Sequence, residues 1–288
     1  MNLEDLTSWW HESLVATHSP RTRKIYLEAV NRLLDGRTEV PGKRELLAYF
    51  GTFKTTVSAK TGRPLSPGYV NQHWRSLQQF YKFLAAEELI DKNPFDSLKQ
   101  PVIPSRPVEV FSEEELTRLF TAATSRRDRA ILRVMLDTGV RVGELAGMKL
   151  VDVDFAQKRI MVTGKASHAR WVPISSKTYT DLRRYLIVRP GDSETLFVGD
   201  RSPHKPLTHW GIRLLLDRLA EKAEVQGMHP HRFRHTMAHL WLANGGLETD
   251  LRRLMGWNSP SMVYRYAASA GAERAHSAHA RLAIADRF

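Results

Sequence analysis

The 288 residues suffice for two ordinary domains with hydrophobic cores, and 42% hydrophobic with 26% charged residues is typical of a globular protein. Forty-three Lys and Arg against 31 Asp and Glu leave a charge of +12, which favours a polyanionic partner, nucleic acid ahead of a membrane surface. No apolar run approaches the ~20 residues that span a bilayer. Glu4 and Asp5 stand where a signal peptide is cationic, and the lack of cysteine excludes disulfides and thiolate metal sites. We therefore expect a cytoplasmic protein.

The first hundred residues predict a helical domain. Ser19 and Pro20 form an N-cap and first-turn pair, and apolar residues follow at helical spacing until Gly36. A break at residues 41–42 precedes a second apolar stretch over 46–53. A longer helix is predicted to begin at Ser66 and Pro67. Its apolar residues form one broad core-facing stripe: Val70, Trp74, Leu77, Phe80, Tyr81 and Leu84.

The polar side of the longer helix is basic, because no acidic residue occurs between Leu46 and Ala86. Arg, Asn and Gln are side chains that pair with base edges in the major groove of DNA. We therefore predict DNA contact, with an ordinary solvated face as the alternative. The residues expected at the DNA are Lys54, Lys60, Arg63 and, on one surface of the helix, Asn71, Gln72, Arg75, Gln78 and Gln79.

Prolines mark a joint between two domains. Proline resists helix formation and biases the preceding residue towards extended structure, so we expect an extended connector. The first domain should therefore end near residue 106, and such a joint would let two domains close around a duplex. The prolines of this connector are Pro94, Pro101, Pro104 and Pro107.

The second domain is predicted to be mostly helical with one small sheet. Ser112 and Glu115 form a capping-box pattern at its start, and helices are expected over 131–136, 208–222, 232–244 and 249–255. Alternation over 151–155, with the acidic residues facing solvent, and apolar runs at 160–162 and 171–174 predict three strands. The expected fold class is mainly α with a small antiparallel sheet: an all-helical domain followed by an α/β domain.

Four segments of the second domain carry side chains suited to phosphodiester chemistry. Attack on a phosphodiester builds negative charge on the phosphoryl oxygens, which the planar fork of arginine can hold, and the departing oxygen needs a proton donor. Each segment alone is a weak signal, but their order and spacing make the set strong. The segments are TGVRVGEL (138–145), TGKASHARWVPI (163–174), HPHRFRH (229–235) and GWNSPSMVYRY (256–266).

With these motifs the chain resembles the tyrosine recombinase family, of the phage-integrase type. The resemblance is strong over 112–267 and weaker over 1–100, where Ser19 to Tyr26 is similar to the opening of the family's core-binding domain. It implies a helical, SAM-like core-binding domain over residues 1–106 and a catalytic domain over 107–288. A tail from about residue 267 would dock into a neighbouring protomer.

The resemblance implies which residues hold the scissile phosphate. Arg141 and Arg234 match the two catalytic arginines, and Glu144, one helical turn after Arg141, would orient it. Taken alone, Arg141 and Glu144 would be a surface pair worth ~0.3–0.5 kcal/mol. Trp257 stands where most of the family has histidine; its indole N–H can donate to a phosphate oxygen but cannot transfer a proton at neutral pH. A plain core tryptophan is the alternative.

The resemblance also implies the nucleophile and the proton carriers. Tyr266 would attack to form a 3′-phosphotyrosine, and Tyr264 would lie on a different face of the helix. His231 would accept the phenol proton, since imidazole titrates near neutrality. Lys165 would protonate the departing 5′-oxygen, although a solvated turn lysine remains an alternative.

Two different interpretations of these motifs fail. Histidines repeat every four residues from His231, but a zincin needs glutamate after the first histidine and Arg232 is there, so we expect no metal site. A phosphate-binding P-loop around Lys165 would require glycine in place of Arg159 and Ser or Thr in place of Ala166.

The implied function is site-specific DNA recombination without a metal ion or other cofactor. The partners would be double-stranded core-type attachment sites, three further copies of the chain in a homotetramer, and an accessory directionality factor. Trp257 and the RYAAS context favour a mobile-element integrase over a Xer-type chromosome-dimer resolvase. A type IB topoisomerase, which shares the chemistry, and a catalytically idle DNA-binding protein remain rival hypotheses.

Overall fold

The computed structural model describes residues 2–53, 55–59, 61–102, 108–164 and 169–287. The chain divides into two compact units, Met1–Arg106 and Pro107–Phe288. No helix in the described part of the chain is long and apolar enough to cross a membrane.

The first unit contains four described helices: α1 (Leu3–Val15), α2 (Pro20–Leu34), α3 (Lys43–Thr52) and α4 (Pro67–Ala86). The two predicted N-caps form as expected, because the side chains of Ser19 and Ser66 accept backbone N–H groups in the first turns of α2 and α4. A short 3₁₀ turn, Pro94–Asp96, follows α4. The core is rich in aromatic rings and includes Trp10, Trp74, Phe80, Tyr81 and Phe95.

The second unit is built on eight described helices and a three-stranded sheet. The helices are α5 (Glu113–Ala122), α6 (Arg126–Thr138), α7 (Val142–Ala146), α8 (Ser176–Val188), α9 (His209–Lys222), α10 (Pro230–Ala243), α11 (Glu248–Met255) and α12 (Pro260–Leu282). The strands β1 (Val153–Asp154), β2 (Arg159–Thr163) and β3 (Ala169–Pro173) pair antiparallel in the order β1-β2-β3. The expected fold class, mainly α with a small antiparallel sheet, is confirmed.

The prediction of a strand over 151–155 is wrong for its first half. Residues Leu150–Asp152 form a 3₁₀ turn, and Val151 is 85% exposed. The turn forms because the Asp152 carboxylate accepts the backbone N–H of Lys149 at 2.7 Å, so this acid caps a turn instead of facing solvent from a strand. Only Val153 and Asp154 pair with β2.

One helix boundary also differs from the expectation. Helix α10 begins at Pro230 rather than 232, because His229 acts as its N-cap: His229 Nδ1 accepts the backbone N–H of Arg232 at 3.1 Å. Helix α12 carries Tyr266 and continues into the residues predicted to form the tail.

Candidate active site

The turn between α6 and α7 positions Arg141. Helix α6 ends at Gly139, whose φ of +60° is a left-handed cap that glycine adopts without strain. Arg141 then caps α7: its backbone N–H donates to Glu144 Oε2 at 2.8 Å and its Nη1 donates to Glu144 Oε1 at 3.0 Å. The guanidinium remains 44% exposed, so Arg141 can meet a ligand while Glu144 holds it.

Arg170 on β3 joins the same carboxylate from the other side. Its Nη1 and Nη2 donate to Glu144 Oε1 and Oε2, each at 3.2 Å, and its Nε donates to the Leu254 carbonyl at 2.8 Å. Arg170 therefore connects the sheet, α7 and the end of α11. Arg170 belongs to the segment TGKASHARWVPI, but the sequence assigns it no role, since nothing in the spacing shows which carboxylate it contacts.

Glu144 is charged despite its burial. Burial alone would raise the pKa of its carboxyl, but the hydrogen bonds from Arg170 and from the Arg141 backbone, with the charges of both arginines, hold that pKa below its usual value. The carboxylate therefore acts as a fixed negative partner that orients two guanidinium groups.

Arg234 lies on α10 and is 3% exposed. Its Nη1 donates to the Gly139 carbonyl at 2.6 Å and its Nη2 donates to the Met255 carbonyl at 2.7 Å. These contacts tie α10 to the ends of α6 and α11. Burial, followed by the charge of Arg141, lowers the pKa of Arg234 to about 10, so this guanidinium is still a cation at neutral pH.

The phenol of Tyr266 belongs to the same cluster. Tyr266 is 1% exposed, whereas Tyr264 is 65% exposed on the other face of α12. The Tyr266 ring stacks on Trp257, with 5.0 Å between centroids and 11° between the planes. Tyr266 also lies near Arg234.

Trp257 connects the tyrosine to the buried arginine. The Arg234 Cζ atom lies 5.2 Å from the centroid of the Trp257 ring. The Trp257 Nε1 atom is buried and has no hydrogen-bond partner among the described residues. A buried N–H without a partner is costly, so this donor is available to a ligand oxygen.

Two histidines of α10 approach the site in different ways. His235 Nδ1 lies 2.6 Å from the Tyr266 hydroxyl oxygen. His231 is exposed in the first turn, and among the described residues it makes a ring contact with His235, at 6.3 Å between centroids, but no hydrogen bond. The pKa of His231 is lowered, first because part of its ring is covered by the protein, and then by the charges of Arg234, His229 and Arg141. The phenol therefore contacts the histidine that motif matching had not selected.

The structure thus brings six of the expected site residues into one cluster through α6, α7, α10, α11 and α12. Lys165 lies outside the described residues. Together with Arg170 and His235, the cluster combines a phenol, three guanidinium groups, an imidazole pair and a buried indole N–H, which is a set of donors suited to an anionic oxygen. Its expected members are Arg141, Glu144, His231, Arg234, Trp257 and Tyr266.

The residues expected to contact DNA lie in the first unit. Gln72 and Arg75 are exposed on α4, Gln78 and Gln79 are half-buried, and Arg63 is exposed. The expectation for Asn71 is wrong: it is 6% exposed, and its Nδ2 donates to the Pro101 carbonyl at 3.1 Å, so it fastens the chain after α4. Lys54 and Lys60 lie outside the described residues.

Comparison with known proteins gives a consistent picture. A model of the phage integrase family matches residues 109–273. Tyrosine recombinase XerC of Oceanobacillus iheyensis is 35% identical over 215 residues, which are 70% of this chain and 70% of that protein. Tyrosine recombinase XerC of Pediococcus pentosaceus is 30% identical over 267 residues, which are 86% of this chain and 87% of that protein.

A solved structure agrees in fold. The Tn1549 transposon integrase in complex with transposon right end DNA matches with a TM-score of 0.74, covering 98% of this chain and 100% of that chain. The identity is 20%, so this likeness concerns the fold alone.

Proposed function

The chain belongs to the phage integrase family of tyrosine recombinases, and from this premise we propose that it cleaves and rejoins DNA at a specific site through Tyr266. The observation that carries the proposal is the position of the Tyr266 phenol. It is stacked on Trp257, whose ring also lies 5.2 Å from the Arg234 Cζ atom, and it is hydrogen-bonded to an imidazole.

In the proposed reaction the Tyr266 oxygen attacks the phosphorus of the scissile phosphodiester. A P–O bond to tyrosine forms, the bond from phosphorus to the 5′-oxygen breaks, and the products are a 3′-phosphotyrosine and a free 5′-hydroxyl. Rejoining reverses these steps when a 5′-hydroxyl attacks the phosphotyrosine. The bond energy is conserved, so strand exchange requires no energy source.

The cationic groups stabilise the charge that develops on the phosphoryl oxygens. Arg141 offers an exposed guanidinium held by Glu144, and His231 lies beside it. The indole N–H of Trp257, which is buried without a partner, would donate to a phosphoryl oxygen. The role of Lys165 as general acid rests on the family resemblance.

The buried phenol must become accessible before it can attack. At 1% exposure the Tyr266 ring cannot meet a phosphate of a duplex unless residues that cover it move aside. We therefore expect DNA binding, with assembly of the homotetramer that the resemblance implies, to precede cleavage. Mass measurement of the protein alone and on core DNA tests this assembly.

The biological setting has two candidates. The relatives named XerC, at 30% and 35% identity, favour a Xer-type recombinase. Trp257 at the position of the family's histidine favours instead the integration or excision of a mobile element. We place the Xer-type function first, because it rests on similarity over most of the chain, whereas the rival rests on Trp257 and the RYAAS context.

A trapping experiment tests the proposal on whichever core site the genome contains. Nicked suicide duplexes made from genomic fragments are incubated in EDTA with wild type, Tyr266→Phe and Tyr264→Phe. A covalent adduct that is lost only in Tyr266→Phe supports the proposal. An adduct lost only in Tyr264→Phe, or no adduct from a protein that folds and binds DNA, would overturn it.

The trapped sequences then separate the candidate functions. A single chromosomal site supports the Xer-type recombinase, whereas paired sites at the ends of one element support the integrase. Supercoil relaxation without recombinant products would indicate a type IB topoisomerase.

A further inference from the structure

The oxygen of Tyr266 is held towards His235. The distance from His235 Nδ1 to the Tyr266 oxygen is 2.6 Å, and the ring centroids lie 5.4 Å apart. Because the phenol ring is also stacked on Trp257, its orientation is set by two contacts that lie on different elements. A hydrogen bond of this length is short enough for direct proton transfer.

His231 makes different contacts from His235, although the two side chains share one face of α10. It precedes His235 by one turn of α10, and no hydrogen bond joins it to Tyr266 in the described part of the chain. The charges that act on it are those of Arg234, His229 and Arg141. His231 therefore lies near the two arginines that we expect to hold the phosphate, and it makes no hydrogen bond to the phenol among the described residues.

We infer that His235 accepts the proton of Tyr266 during cleavage, and that His231 serves the scissile phosphate. This inference rests on the proposed recombinase function. With its own proton on Nε2, the His235 imidazole presents the Nδ1 lone pair to the phenol. The hydroxyl proton passes to Nδ1 as the tyrosine oxygen bonds to phosphorus, and the departing 5′-oxygen takes its proton from the general acid. In rejoining, the imidazolium returns its proton to the released phenolate.

Several ionisable groups surround the His235 ring and belong to the pH dependence of this step. His229 and His231 lie at 6.2 and 6.3 Å between centroids, and His239 follows one helical turn later. Tyr266 faces the ring from α12. Arg234 directs its guanidinium to the carbonyls of Gly139 and Met255, at the ends of α6 and α11.

The test compares two matched substitutions one helical turn apart. Covalent-adduct formation is measured in single turnover for wild type, His235→Gln, His231→Gln and Tyr266→Phe, from about pH 5 to pH 8, where histidine titrates. Glutamine accepts a hydrogen bond but cannot take up a proton. A second substrate carries sulfur in place of the bridging 5′-oxygen; because a thiol has a pKa of ~8.5, this leaving group departs without a general acid.

We expect His235→Gln to slow cleavage by about 10²-fold on both substrates. The rate of adduct formation by His235→Gln should no longer fall towards acidic pH, whereas the rate for His231→Gln should still fall. DNA affinity and thermal unfolding of His235→Gln should match those of wild type. His235→Asn provides a second test of the same kind if the glutamine variant fails to fold.

Four results would overturn the inference while leaving the proposed function intact. The first is a wild-type cleavage rate in His235→Gln, and the second is a slow rate in His235→Gln that still falls towards acidic pH. The third is recovery of the His235→Gln rate on the 5′-sulfur substrate. The fourth is a His231→Gln rate that no longer falls towards acidic pH. The second would mean that His235 only packs against the phenol, and the third that it protonates the leaving group. Failure of the proposed function is distinct, because wild type would then form no adduct or Tyr266→Phe would still form one.

Discussion

The two units bury ionisable side chains in opposite states. In the first unit the buried ionisable groups are neutral: burial lowers the pKa of His73 to about 4, and burial raises the pKa of its partner Tyr49 to about 12. Their side chains share a hydrogen bond of 2.7 Å. In the second unit the buried groups include charged residues, among them Arg234 and Glu144.

The difference follows from the partners that the buried side chains have in each unit. Among the described residues, the buried Arg, Asp and Glu side chains all belong to the second unit, where each has an oppositely charged or carbonyl partner. A buried charge is costly unless it is paired, so this arrangement has to be specified by many contacts. A site that stabilises a phosphate needs such fixed cations. The aromatic core of the first unit needs no charged group and remains stable with neutral ionisable side chains.

The largest effect is expected where a buried cation acts in the chemistry. Arg234→Lys should reduce the rate of adduct formation by about 10²- to 10³-fold, because an ammonium cannot bond both carbonyls and still face a phosphate. Single-turnover cleavage measures the change, and Arg252→Lys, an exposed substitution on α11, is the control. Equal loss in both variants would mean that the cleavage rate does not depend on the particular geometry of the Arg234 guanidinium.

A smaller effect is expected from neutralising the buried carboxylate. Glu144→Gln should lower the unfolding free energy by about 3 kcal/mol at pH 7, because Arg141 and Arg170 lose their charged partner. The pKa of Glu144 is held below its ordinary value of 4.5, so the stability from this group is present above pH 4.5 and is lost as the pH falls below it.

Urea unfolding at pH 7 and under acid conditions measures this change. Glu144→Gln should be less acid-sensitive than wild type, while Glu221→Gln, an exposed carboxylate on α9, should leave both values unchanged. An unaltered acid profile in Glu144→Gln would contradict the assignment of this carboxylate as a buried charge.

The neutral histidine of the first unit also predicts a loss of stability on acidification, but at a higher pH than Glu144 and without an effect on catalysis. The pKa of His73 is about 4 in the folded unit against an ordinary value of 6.5. Stability is therefore fully present above pH 6.5 and is lost as the pH falls towards 4. We expect a loss of about 1–2 kcal/mol between pH 7 and pH 5, after allowance for solvent screening.

Hydrogen exchange of α4 peptides in the intact chain reports this loss. His73→Phe should remove it, whereas His11→Phe on α1 should retain it. If α4 in the wild type is equally protected at both pH values, His73 is not the group that confers acid sensitivity.

The smallest effect is expected at the exposed face of α4. Arg75→Ala should weaken DNA binding by about 1 kcal/mol and reduce the salt dependence of log K by ~0.9 if Arg75 contacts one phosphate. Lys24→Ala is the control, because the Lys24 ammonium lies 3.9 Å from Glu28 on the exposed side of α2. Binding titrations at several salt concentrations measure both quantities, and equal slopes for all three proteins would mean that Arg75 contacts no phosphate.

Local rules predicted much of the molecule. Serine followed by proline marked the starts of α2 and α4, since an N-cap acceptor and a fixed φ act within a few residues. The same locality explains two errors. Asn71 is a polar residue of a type usually found at the surface. It is buried here because the chain returns to it at Pro101, whose carbonyl accepts its hydrogen bond. Val151 sits in an alternating pattern that the cap from Asp152 overrides.

The sequence alone determined the family and the motif residues, because the order and spacing of TGVRVGEL, HPHRFRH and Tyr266 are properties of the chain itself. Tertiary structure decided which groups meet. Arg170 reaches Glu144 across 26 residues, and His235 rather than His231 contacts Tyr266 across 31. The physical reason is that the two histidines are one turn of α10 apart and lie on the same face of the helix. The local pattern therefore does not distinguish them, and the packing of α12 determines which ring faces the phenol.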